Sequence, residues 1–231
     1  MQDRRVTAMP GASQGVGISA EAHKVLRNTY SLLAMTLLFS AIMAGVSMAI
    51  ELSRGASLVC SLVALGLIWF VIPRTANSTA GIGVVFAITG LLGLSLGPLL
   101  MHYLSVSNGG SIVMQALGGT AIVFFSLSAY VLTTKKDFSF LGGMLFAGFI
   151  VVIVGFIGAL IAGWMGYNVS GFSLALSAAI VLLMSGFILF DTSRIVNGGE
   201  TNYILATVGL YLSIYNLFTS LLHLIGAFSD D

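Results

Sequence analysis

Asp191 directly follows the apolar segment Ser185-Gly186-Phe187-Ile188-Leu189-Phe190, with no polar residue between the carboxylate and the hydrophobic run. At the C-terminal end of a helix a carboxylate opposes the macrodipole, and an apolar setting withholds the water that a charge needs. Arg194, three residues on, acts the other way if the helix continues far enough to give both side chains one face. Two readings stay open: an ion pair at the edge of an apolar layer, or a gate that responds to protons or cations. A second constellation lies downstream. Ala206, Gly209, Ser213, Asn216, Ser220 and His223 recur at steps of three and four, so all fall on one face of a helix over 203–228. Tyr211 and Tyr215 lie on a neighbouring face. Such a stripe can hydrogen-bond to adjacent helices or line a polar path. Asp191, Arg194, Ser213 and Asn216 form the candidate pH- or ion-responsive site.

Other chemical signatures lose their force in context. Gly11-Ala12-Ser13-Gln14-Gly15 has the spacing of a nucleophile elbow, but that device needs a strand, a turn and a helix to expose its serine. Gly15-Val16-Gly17-Ile18-Ser19-Ala20 resembles a dinucleotide loop with no strand before it. His23, His102 and His223 are scattered, and none belongs to a His-Glu-x-x-His motif. Cys60, the single cysteine, excludes an internal disulfide and reads as a packed thiol. Asn168-Val169-Ser170 is a glycosylation sequon, relevant only in a secretory compartment. No lysine falls within 203–228, which excludes a retinal Schiff base there. These residues point to no enzyme, no cofactor and no metal.

The elements that must position the candidate residues follow from composition. Of 231 residues, 58% are hydrophobic and 7% charged, whereas a soluble domain carries about a quarter charged residues. Lipid must therefore cover much of the surface, and a net charge of +1 gives no basic face for nucleic acid. A spanning helix needs about 20 mostly apolar residues. Windows at 30–50, 55–72, 80–104, 111–134, 140–163, 171–190 and 203–228 meet or approach that length, with Pro73-Arg74 expected to stop the second. The fold expected is all-α, with seven transmembrane helices over residues 30–229 and the seventh central, since its polar stripe cannot face lipid. Residues 1–29 read as a polar, flexible tail with no secretory signal.

Threading these spans puts Arg4, Arg5, Lys24, Arg27, Arg74, Lys135, Lys136 and Arg194 on one side and leaves Arg54 alone on the other. Cytoplasmic segments hold the Lys and Arg excess, so the N-terminus is expected in the cytoplasm and Ser229-Asp230-Asp231 outside. Gly90, Gly93 and Gly97 in the third span, and Gly155, Gly158 and Ala162 in the fifth, suit close helix packing. Pro98 is expected to kink the third span near its outer end.

Phe187-Ile188-Leu189-Phe190-Asp191-Thr192-Ser193-Arg194-Ile195, then Tyr203 and Leu210-Tyr211-Leu212-Ser213-Ile214-Tyr215-Asn216-Leu217-Phe218, resemble the closing signature of the transmembrane Bax-inhibitor family. The resemblance extends through His23-Lys24-Val25-Leu26-Arg27-Asn28-Thr29-Tyr30, Tyr130–Asp137, Phe140–Met144 and Gly198–Tyr203, nearly the whole chain after the tail. It implies seven helices with the last surrounded by the other six. It also implies a pH-sensitive calcium leak in which an aspartate ending the sixth span pairs with one in the seventh. Asp191 matches the first; the second falls at Ser213, and a serine cannot reproduce the coupling of two carboxylates. The bacterial inner-membrane members that these stretches most resemble imply association with an FtsH-type protease complex as a slowly processed substrate that restrains it. In that reading residues 1–20 supply the unstructured handle such a protease pulls. The alternative is the pH-sensitive calcium leak, with Ca2+ or H+ as its ligand.

Overall fold

A computed structural model describes residues 19–229 of the chain. Seven helices are long and apolar enough to cross a membrane: α1 (Ala20–Ala49), α2 (Arg54–Thr75), α3 (Ala80–Leu104), α4 (Gly109–Thr134), α5 (Ser139–Trp164), α6 (Ser170–Val196) and α7 (Tyr203–Ser229). No strand occurs among the described residues. Helices are what lipid permits, because each closes its backbone hydrogen bonds within its own segment.

Three boundaries differ from those expected, each for a local reason. α1 begins ten residues before its apolar window, because the Ser19 hydroxyl accepts the Ala22 N–H at 3.1 Å and Glu21 favours the first turn. Lys24 and Arg27 therefore ride on a helix, while most of the expected handle, residues 1–18, lies outside the described residues. α2 is not stopped by Pro73. It widens into a π turn at Leu67–Val71 and continues to Thr75, with the Arg74 guanidinium donating to the Phe70 carbonyl and Thr75 Oγ1 to Val71 O at 2.9 Å. These donors serve carbonyls beside the point where a proline removes one. α6 runs on to Val196, so Asp191 lies inside the helix and not at its end.

α7 is the most deeply buried of the seven helices and packs mainly against α1, α3, α4 and α6. Leu210, Tyr211, Leu217 and Leu222 are fully buried along it. The centre expected for the seventh helix is thus present. Four helices make the main contacts with it, while α2 leans on α3 and α5 on α6 at the periphery. The tightest seam joins α1 to α3. A Cβ added at Gly93 would stand 2.4 Å from Ser40 O, and one at Gly97 would stand 2.0 Å from Ser47 Oγ. Pro98 cannot give an N–H to Leu94 O, and the Ser47 hydroxyl donates to that carbonyl at 2.7 Å. The α5 row behaves differently: Gly155 approaches Leu176, but Gly158 faces open space, so close packing does not extend along that stripe.

Candidate functional site

α6 and α7 run antiparallel, joined by a turn in which Gly198 takes the left-handed conformation (φ +76°) that a glycine adopts at no steric cost. That turn folds Glu200 back on α6. Its backbone N–H donates to Arg194 O at 3.0 Å, and its carboxylate pairs with the Arg194 guanidinium at 3.2 Å. Arg194 also donates to Gly199 O at 3.2 Å and lies over the Phe190 ring. Of the two readings left open for Asp191, the ion-pair reading meets a competitor, since Arg194 pairs with Glu200.

Asp191 faces α7 at Gly209, where an added Cβ would come within 3.0 Å of the carboxylate. A side chain at this crossing would crowd the Asp191 carboxylate and require it to shift. Together with Arg194, Glu200, Leu205, Ala206 and Gly209 it lines a cavity of about 420 Å³. No hydrogen bond from any described residue reaches the Asp191 carboxylate. Ser213 and Asn216 lie further along α7, outside this lining. Ser213 is buried, and the Asn216 amide donates to Leu212 O of its own helix at 2.8 Å. The four residues grouped from sequence therefore separate into Asp191 and Arg194 at the cavity and two residues one and two turns deeper.

The rest of the stripe follows the same antiparallel register. Ala206 and Ser220 are buried, and His223 Nδ1 lies 2.8 Å from Ser177 Oγ on α6. The neighbouring tyrosines carry the cross-helix hydrogen bonds. Tyr211 OH lies 2.6 Å from Ser40 Oγ of α1 and donates to Thr89 O of α3 at 3.3 Å. Tyr215 OH lies 2.9 Å from Ser95 Oγ of α3, and the two rings stack with centroids 6.2 Å apart. At the end of the bundle near Asp191, the Ser193 hydroxyl takes the Phe138 N–H at 2.8 Å and pins the α4–α5 connection to α6. Within that connection the Asp137 carboxylate is held below its usual range by hydrogen bonds from Ser139.

Sequence reasoning missed Glu200, Ser193, Ser40 and Ser95. Glu200 had a signal in the Gly198-Gly199 pair before it, which marks a chain reversal able to return a nearby charge to the helix. The serines had none, since a hydroxyl in an apolar run does not say which helix it meets.

Comparison with known proteins agrees with this architecture. Over 209 residues, 90% of this chain and 92% of the relative, the chain is 52% identical to the Escherichia coli K12 protein named Modulator of FtsH protease YccA. It is 52% identical over 211 residues to an uncharacterized membrane protein of Vibrio cholerae, covering 91% of this chain and 92% of the relative. A protein of Pseudomonas aeruginosa is 47% identical over 219 residues, 95% of this chain and 96% of the relative. Residues 22–230 match the family described as inhibitor of apoptosis-promoting Bax1. With seven apolar helices, a central α7 and this match over nearly the whole chain, the protein belongs to the transmembrane Bax-inhibitor family.

Proposed function

We propose that this chain is a non-enzymatic regulator of an FtsH-type ATP-dependent protease in a bacterial inner membrane, and is itself a slowly processed substrate of that protease. The observation that carries the reading is its 52% identity, over 90% of its length, to a protein named for modulating FtsH. Two physical features support it. A bundle sealed by close α1–α3 contact and by tyrosine hydrogen bonds resists extraction from lipid, and a polar N-terminal segment offers a place to begin pulling. The Lys and Arg excess at one end supports a cytoplasmic position for that segment and for the Arg194–Glu200 end of the bundle, and a periplasmic C-terminus. Deleting residues 2–18, which spares the Ser19 cap of α1, is expected to lengthen the half-life of the chain several-fold in cells containing the protease and to weaken its restraint of other substrates. Unchanged turnover in a pulse-chase would remove the handle from the account.

A second reading, a proton- or calcium-responsive leak, rests on Asp191 and Glu200 facing one cavity. It predicts cation flux in proteoliposomes that Asp191→Asn abolishes. Flux absent from the wild type, or equal in the two proteins, removes this reading.

A further inference from the structure

Arg54 stands alone at its membrane edge, opposite the end where the other basic residues gather, and it opens α2. Neither its guanidinium nor the His102 imidazole near the end of α3 makes a hydrogen bond or ion pair with any described residue. His102 stacks edge-on against Tyr103. The Arg194–Glu200 ion pair lies at the other end of the bundle. Arg54 and His102 flank one cleft of about 500 Å³ between α2 and α3.

The walls below them change character. Leu58, Pro98 and Leu99 line the cleft, and Leu58 is largely exposed toward the bilayer. The hydroxyls on the floor are already engaged: Ser57 Oγ donates to Ser95 O at 2.8 Å, while Ser95 Oγ donates to Leu92 O at 2.7 Å and pairs with Tyr215. From Ser95 to His102 the cleft follows α3 for about 10 Å at the helical rise of about 1.5 Å per residue. Among the described residues no carboxylate lines it. Two free cationic or N–H donors thus stand at a mouth on the membrane edge, above an apolar shaft that opens to lipid.

We propose that this cleft is a binding site for an anionic phospholipid, with the headgroup phosphate held by Arg54 and His102 and an acyl chain laid along Leu58 and Leu99. A guanidinium fork matches phosphate oxygens, and the N-terminal turn of α2 adds a favourable dipole at the same point. The recognised chemistry, a phosphate monoanion, is shared with free phosphate. The apolar shaft assigns the ligand to lipid.

Native mass spectrometry of the full-length protein released from micelles tests this, with phosphatidylglycerol and phosphatidylcholine of identical acyl chains supplied in competition. The wild type is expected to retain one phosphatidylglycerol in preference to phosphatidylcholine. The double variant Arg54→Gln/His102→Gln is expected to lower that retention about tenfold, equivalent to about 1.4 kcal/mol. Leu58→Trp, which fills the shaft and leaves the basic mouth intact, is expected to lower it as well. Arg74→Gln, at the opposite end, is the control and should retain the lipid. Equal retention of the two lipids, or undiminished retention in the double variant, overturns the proposal. Displacement of phosphatidylglycerol by inorganic phosphate, together with indifference to Leu58→Trp, assigns the mouth to free phosphate and overturns the lipid assignment.

Discussion

Gly93→Val is expected to push α1 away from α3 and to destabilise the protein by about 1–3 kcal/mol, toward the upper end of the usual toll of overpacking. The obstacle to the new Cβ is the Ser40 backbone carbonyl, 2.4 Å away, and a backbone atom cannot move aside as a side-chain end can. The Ser47 hydroxyl also donates across this seam to Leu94 O at 2.7 Å, so parting α1 from α3 strands that bond. In lipid no water is expelled when helices meet, so close approach and interhelical bonds supply most of the association. Gly158→Val and Gly118→Val are the controls. A Cβ at either site meets nothing within 4 Å, and each should stay within about 0.5 kcal/mol of wild type. Denaturation of the purified proteins in mixed micelles measures all three. A Gly93→Val protein as stable as the controls would contradict the packing described for α1 and α3.

Tyr211→Ala is expected to have the larger effect, about 3–5 kcal/mol, because it empties the largest fully buried side-chain site in the bundle. Tyr211→Phe keeps the ring and removes only the hydroxyl that meets Ser40 and Thr89, which should cost about 0.6–1.7 kcal/mol. The ratio of the two carries the information. If the phenylalanine variant were as damaged as the alanine variant, hydrogen bonding and not volume would hold α7 at the centre. If neither were damaged, α7 would not be the core.

Much of this fold is legible without coordinates, because a bilayer allows few alternatives. Uncharged windows of spanning length, separated by Glu51-Leu52-Ser53-Arg54, Lys135-Lys136-Asp137 and Asn197-Gly198-Gly199-Glu200, leave little choice of helix number. The inward face of α7 is legible for the same reason: Ser213, Asn216 and Ser220 contrast with the leucines and isoleucines around them. α5 shows where this contrast fails. Gly155, Gly158 and Ala162 sit in an almost wholly apolar helix, where nothing in the residue types separates a face toward lipid from a face toward protein, and Gly158 meets open space. Helix ends were misplaced where side chains take over backbone bonds, as at Pro73, or where the helix continues past a charge, as at Asp191.

The candidate site was half legible. Asp191 stood out because a carboxylate in an apolar run demands an explanation, and the structure gives it a cavity and a glycine facing it. The partner of Arg194 was not legible from helical spacing, since Glu200 reaches it through a turn outside the helix. Ser213 joins Asp191 in the candidate site through the resemblance, which puts a second aspartate at its position, and Asn216 shares its helix face. Sharing a face does not mean sharing a depth, and along a helix each turn moves a residue about 5.4 Å.

A helical bundle built around α7 that restrains an FtsH-type protease must slow that protease in the membrane the two share. Co-reconstitution of the purified chain with such a protease, followed by the rate of degradation of a second membrane substrate as the ratio of chain to protease rises, measures that restraint. The account predicts a rate that falls as the chain is added, recovery with the 2–18 deletion, and co-purification of chain and protease from the vesicles. A degradation rate indifferent to the chain, with no association between the two proteins, would contradict it.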